Sequence, residues 1–151
     1  MKIVIGADHG GFKLKEALVK FLRSKGHIVK DIGAFSEESC DYPVIGYQAA
    51  KLVASKAYPR GVLVCKTGIG MSIAANKVRG VRAALCDRPD IASSSREHND
   101  ANILVFAANI VTPGKAKKIL ETWLKAKHLG GRHARRVAEI KEIEIMENKK
   151  R

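Results

Sequence analysis

Long apolar runs are missing from this chain of 151 residues: nowhere do 18 consecutive apolar residues occur, so no membrane-spanning helix is expected. Aromatic residues are scarce at 5%, and no nucleic-acid-binding motif accompanies them, which counts against nucleic acid as the partner. Cysteine is limited to Cys40, Cys65 and Cys86, an odd number without metal-ligand spacing. That excludes a disulfide framework and a thiolate metal centre. Met1 leads directly into KIVIG, too short an apolar stretch for a signal-peptide core. A cytoplasmic protein with reduced thiols is the expectation. Linkers, low-complexity blocks and internal repeats are also lacking, so residues 1–151 read as one domain, long enough to bury a full core.

Acidic residues are the last shortage. Fifteen Asp and Glu face 28 Lys and Arg, a formal charge of +13. The basic residues are densest from Lys115 to Arg136, where eight oppose the single acid Glu121. Such a stretch suits an anionic partner, and a phosphorylated small molecule fits better than nucleic acid. The scattered remainder reads as a solvated lysine surface.

Strand-like and helix-like segments alternate along the chain. KIVIG, HIVKDIG, GVLVC, VRAALC and NILVFAA read as five strands, and GVLVC, apolar throughout, suits burial on both faces. Phe12, Leu14, Ala17, Leu18, Phe21 and Leu22 lie close to helical spacing, with Gly26 as a stop. Further helices are expected to about Ser55, over Met71–Val78, Asp90–Glu97 and Pro113–Ala126, and finally over about 134–146, before a frayed NKKR tail. The last helix carries Val137, Ile140, Ile143 and Met146 as an apolar stripe with no strand left to cover, so it should pack on a partner subunit. The alternation predicts an α/β protein, a three-layer α/β/α Rossmann-like domain with a five-stranded parallel sheet. Ligands bind such sheets outside the carboxyl ends of the strands. Asp8, His9, Tyr42 and Cys65 should converge on that rim.

The segment VLVCKTGIGMSIAANK, from Val62 to Lys77, joins a strand to a helix through a glycine turn. As a dinucleotide fingerprint it has Gly68 and Gly70, with Asp87 about 20 residues on, but Ile73 occupies the third glycine position. As a cysteine-phosphatase loop it lacks the arginine that would grip a phosphate. As an anion hole it has successive backbone N–H groups at a helix start, and Cys65 is set among donors that suit a thiolate. Cys86 also ends a strand but has no such loop, and reads as a core thiol. His27 and His128, in charged surroundings, should be exposed. His9 and His98 lie in polar loops where a general acid or base could stand. His133 falls within GGRHARR, and no histidine pair has metal spacing.

Taken together, GADHGGFKLK, DYP, CKTGIGMSIAANK, GVRAALC, SREHNDANIL and GGRHARR, in this order and spacing, resemble the type B ribose-5-phosphate isomerases, which group with galactose-6-phosphate isomerase subunits. The resemblance runs from Met1 to about Glu144. It implies an aldose–ketose isomerase that works through a cis-enediolate with no metal or organic cofactor. Cys65 is then the base that moves the proton between C1 and C2. The loop Lys66, Thr67, Gly68, Ile69, Gly70, Met71 and Ser72 holds the enediolate oxygen, and Thr67 assists proton transfer. His98 opens the furanose ring, and Asp8 contacts sugar hydroxyls. Tyr42 and Asn99 line the sugar pocket, while His9, Arg132 and Arg136 hold the phosphate. Some members carry a glutamate base at the position of Met71, so this chain resembles the cysteine type. The family also implies a homodimer, in some members paired into a tetramer, with sites shared between protomers.

Two positions depart from the family pattern. Lys66 stands where a glycine is common, so the turn must accept a side chain. Asn109 stands where many ribose-5-phosphate isomerases carry a phosphate-gripping arginine. That lowers the expected affinity for ribose 5-phosphate and leaves room for another aldose phosphate or an unphosphorylated sugar. The competing classes are a nucleotide-binding regulatory module using Gly68, Gly70 and Asp87, and a basic nucleic-acid binder.

Overall fold

A computed structural model describes residues 1–149, and of Asn148 the backbone alone. The elements in chain order are β1 (Lys2–Ala7), α1 (Phe12–Ser24), β2 (Ile28–Asp31), α2 (Tyr42–Ala54), β3 (Arg60–Cys65), α3 (Ile69–Ala75), β4 (Ala83–Leu85), α4 (Pro89–Glu97), β5 (Ile103–Ala107), α5 (Pro113–Lys125) and α6 (Gly131–Lys149). A short 3₁₀ turn, His9–Gly11, joins β1 to α1. The five strands form one sheet in the order β2-β1-β3-β5-β4, and every neighbouring pair is parallel.

Strand composition explains the order. Residues 61–65 of β3 and all of β5 are buried, and they occupy the centre. The edge strands β2 and β4 are short and partly exposed, which blunts the open edges of the sheet. Alternate strand residues feed two cores. Ile3, Ile5, Val62, Val64, Leu104 and Phe106 pack with Leu18 and Leu22 of α1, Ala92 of α4, and Ile119 and Trp123 of α5. Val4, Leu63, Ile103 and Val105 pack on the other face with Ala49, Ala50 and Val53 of α2 and Met71 and Ala75 of α3. This is the three-layer α/β/α arrangement, with α1, α4 and α5 opposite α2 and α3.

The direction of winding places the site. From β1 the chain turns through α1 to β2 on one side, whereas from β3 it turns through α3 toward β4 on the other. The loops after β1 and β3 therefore part company and leave a crevice at their carboxyl ends.

Three local readings change. α3 stops at Ala75 rather than Val78, because the Asn76 side chain leaves the helix to pair with the Ala83 backbone, accepting from its N–H and donating to its C=O at 2.8 and 2.9 Å. α6 begins at Gly131 rather than Ala134, where Gly130 and Gly131 adopt φ values of +73° and +55° and turn the chain. It runs to Lys149, and the last two residues of the expected frayed tail lie outside the described residues. His27 and His128 are half-buried, not exposed. The Nδ1 atom of His27 lies 3.3 Å from the Met1 amine, and that of His128 lies 3.0 Å from the Glu97 carbonyl. Cys86 is a core thiol: burial pushes its pKa up to about 11. Among the described residues, no helix is long and apolar enough to cross a membrane.

Candidate active site

Cys65 is the last residue of a central strand and is 4% exposed. Its Sγ accepts a hydrogen bond from the Gly68 N–H at 3.1 Å, so the turn folds back on the sulfur. That turn requires glycine. Gly68 has φ +72°, and a Cβ there would lie 2.4 Å from a Leu85 methyl. Gly70 is equally constrained from outside, because the Tyr42 ring lies where its Cβ would be, at 2.5 Å. Tyr42, at the first turn of α2, thus roofs the loop. The Thr67 hydroxyl accepts from the Ile69 N–H at 3.4 Å. Gly70 and Met71, in the first turn of α3, have N–H groups without intrahelical acceptors, as at any helix start. Met71 itself is fully buried against Gly46, so it offers this site its backbone and not its side chain.

The β1 loop closes the other wall. Asp8 is 7% exposed; its N–H donates to the Val64 carbonyl at 3.2 Å, and its Oδ1 accepts from Gly11 N–H at 3.1 Å. His9 is exposed, and its Nδ1 accepts from the Cys40 N–H at 3.2 Å. In the neutral ring the proton therefore sits on Nε2, which remains a donor. The loop carrying Cys40 is anchored at its start by Asp31. Lys15, fully buried, bonds both Asp31 oxygens at 2.8 and 2.7 Å, and Asp31 Oδ1 also accepts from the Gly33 N–H at 2.9 Å. Sequence reading passed over Lys15, although its helical spacing with Leu18 and Leu22 set it on the buried face of α1. The loop after β5 clamps the β3 loop: Ala108 and Asn109 N–H donate to the Cys65 and Lys66 carbonyls at 2.9 and 3.1 Å. Between them lies a cleft of about 470 Å³ lined by Thr67, Ile69, Leu85, Asp87, Ala107, Asn109 and Ile110.

The remaining expected site residues lie elsewhere. His98 caps the C-terminal end of α4, which delivers the chain to the amino end of β5. Asn99 follows it, with its carbonyl accepting from Arg82 Nε at 3.0 Å. Ile103 pairs with Gly61 and Ala107 with Cys65, so this rim and the cysteine are separated by at least about 13 Å of strand, at 3.3 Å per residue. His133, on the first turn of α6, stacks on His98 with ring centroids 4.3 Å apart and planes within 10°. Desolvation, followed by the positive charges of His98, Arg132 and Arg136, holds His133 below the ordinary histidine value. Arg132 and Arg136, on the first turns of α6, therefore belong to the His98 rim and not to the Cys65 rim. The stack was not legible from sequence, since 35 residues separate the rings.

The dinucleotide reading fails on topology. The fingerprint needs its two strands side by side, whereas β5 lies between β3 and β4. The Gly68 N–H that would face a pyrophosphate is donated to Cys65. Among the described residues, no group of three or more His, Cys, Asp or Glu could hold a metal ion.

Residues 3–140 match the model of the ribose/galactose isomerase family. The chain is 46% identical to ribose-5-phosphate isomerase B of Escherichia coli, over 97% of this chain and 99% of that one. It is 38% identical to D-erythrulose-4-phosphate isomerase of Pectobacterium atrosepticum, over 93% of each. A solved structure of ribose-5-phosphate isomerase B from Clostridium thermocellum superposes with a TM-score of 0.95 at 51% identity, covering 97% of this chain and 99% of that one. On this match across nearly its whole length, the chain belongs to the ribose/galactose isomerase family.

Proposed function

We propose that this protein is a cytoplasmic aldose–ketose isomerase that interconverts ribose 5-phosphate and ribulose 5-phosphate. The observation that carries the reading is the Cys65 sulfur held by the Gly68 N–H at the crevice between the β1 and β3 loops. Isomerisation moves one proton between adjacent carbons and is redox-neutral overall, so it needs a base and a holder for the developing oxyanion. Cys65, as thiolate, takes the proton from C2 of the open-chain aldose. The electron pair moves into a C1–C2 double bond, and the C1 carbonyl oxygen becomes an enediolate oxygen. Backbone N–H groups of the 66–72 loop hold that oxygen. Thr67 passes a proton between O1 and O2, and Cys65 returns its proton to C1, giving the ketose.

Ring opening and phosphate binding draw on the other rim. His98, Asn99, Arg132 and Arg136 come from a second copy of the chain, because one chain keeps them apart from Cys65. Asp8 and Tyr42 contact the sugar, and His9 offers its Nε2–H to the phosphate. Helix α6 supports a homodimer: Val137 is buried, but Ile140, Ile143 and Met146 remain 38%, 55% and 55% exposed, an apolar stripe that a second copy would cover.

The test is ketose formation followed by NMR over a panel of tetrose, pentose and hexose phosphates. Turnover of ribose 5-phosphate, with kcat/KM above that for the other sugars, is expected. Tight adenine-nucleotide binding without turnover of any aldose phosphate would overturn the reading.

A further inference from the structure

We infer that Lys66 supplies the mobile positive charge of the phosphate grip on the Cys65 rim. The inference rests on the isomerase reading and assigns a role to a side chain that the mechanism above does not use. A phosphate ester carries about −1.5 to −2 charge at pH 7, yet this rim presents the acids Asp8 and Asp87. His9 offers it a neutral donor when Nδ1 takes the Cys40 N–H, and Asn109 offers an uncharged side chain. Two cations in the loops and helix starts of this rim face carboxylates: Arg88 bonds Asp90 at 3.0 and 2.9 Å, and Lys13 lies 3.3 Å from Glu37. Among the described residues, Lys66 has no carboxylate partner within ion-pair distance.

Its placement suits the task. A Cβ added to Gly10 would lie 3.2 Å from the Lys66 Cβ, so the Lys66 side chain leaves the backbone against the turn that carries His9. Its carbonyl is fixed by the Asn109 N–H at 3.1 Å, so a mobile stem starts from an anchored base. The two positions that depart from the family pattern are thus joined by a hydrogen bond, one bearing a charge and the other lacking one. A lysine is a point charge on a flexible stem, able to follow phosphates at slightly different depths. Sugar phosphates of different chain length would then be held with similar strength.

The experiment compares wild type, Lys66→Met, Lys66→Arg, Asn109→Arg and the Lys66→Met/Asn109→Arg double variant. It reads KM and kcat for ribose 5-phosphate, together with binding of inorganic phosphate by calorimetry. Lys66→Met should raise KM about tenfold, weaken phosphate binding by a similar factor and change kcat by less than about threefold, as expected for loss of one charge-assisted contact made equally in ground and transition states. Lys66→Arg should restore most of both. Asn109→Arg should help the Lys66→Met background more than the wild type. Wild-type KM and phosphate binding in Lys66→Met would overturn the inference, as would a tenfold fall in kcat at unchanged KM, which would place Lys66 at the enediolate. Failure of the wild type to isomerise ribose 5-phosphate would sink the isomerase reading alone, because the phosphate titration reads Lys66 without turnover.

Discussion

The two rims of the sheet are built on different principles. At the carboxyl rim, backbone does the positioning: Gly68 N–H holds Cys65, Gly11 N–H holds Asp8, Cys40 N–H holds His9, and Asn109 N–H holds the Lys66 carbonyl. At the amino rim, side chains do it. His98 stacks on His133, and beside them Arg96, 4% exposed, bonds Asp100 at 2.8 Å. On the proposed reading, the first rim is a fixed frame for chemistry at one atom, the second is a cluster of charge that grips an anion, and a complete site needs both.

Four tests would break or sharpen that contrast. The largest effect falls on the frame. Cys65→Ala should lower kcat by about 10²–10⁴-fold, the scale of general-base loss, with an unchanged circular dichroism spectrum. Near-wild-type turnover would remove the cysteine from the chemistry. Cys40 and Cys86 should be dispensable.

The second tests the division itself. In a dimer with shared sites, a Cys65→Ala chain beside a His98→Ala chain holds one doubly defective site and one intact one. Unfolding and refolding an equal mixture of the two inactive variants should therefore recover about one quarter of wild-type activity, since half the dimers are mixed and half their sites are whole. No recovery, with mixed dimers demonstrated by mass spectrometry, would put both residues to work within one chain.

The third effect is smaller. Asn109→Arg replaces an uncharged side chain of the carboxyl rim by a cation and should lower KM for ribose 5-phosphate severalfold while kcat holds, which steady-state kinetics would check. A raised KM would place Asn109 away from the phosphate or on a hydroxyl of a different sugar.

Only the locally positioned part of the carboxyl rim is legible in the sequence, for the Cys40–His9 and Asn109–Lys66 bonds join distant segments. A glycine turn after an apolar strand specifies a loop, whatever the rest of the chain does. The amino rim is not legible, because its contacts are distant in sequence. Nothing in SREHNDAN or GGRHARR says that His98 and His133 stack. Nor does alternation of strands and helices say that β5 inserts between β3 and β4. The half-burial of His27 and His128 escapes the sequence for the same reason: charged neighbours in sequence do not reveal an N-terminal amine or a distant carbonyl at 3.0–3.3 Å. Helix ends moved where a side chain, Asn76, replaced a backbone partner.

The smallest effect probes the amino rim through pH. Folding lowers the His133 pKa, by desolvation and then by the charges of His98, Arg132 and Arg136. The unfolded chain, with His133 near the ordinary value of 6.5, therefore binds more protons than the folded one just below that pH. Stability must rise with pH across this window. The His133 contribution is fully present above pH 6.5 and is lost as pH falls from there toward the lowered value. His27, lowered by desolvation and the nearby N-terminal charge, acts in the same direction. Carboxylates, including Asp100, whose Arg96 bond and charge outweigh desolvation and depress its pKa, lose their contribution only at more acid pH. Thermal melts at pH 7.5 and 5.5 thus isolate the histidines. The wild type should melt lower at pH 5.5, and His133→Asn should reduce that drop, whereas Cys65→Ala should leave it unchanged. An equal drop in wild type and His133→Asn would mean that the stack does not resist protonation, and the amino rim would then be no more pH-sensitive than the carboxyl rim.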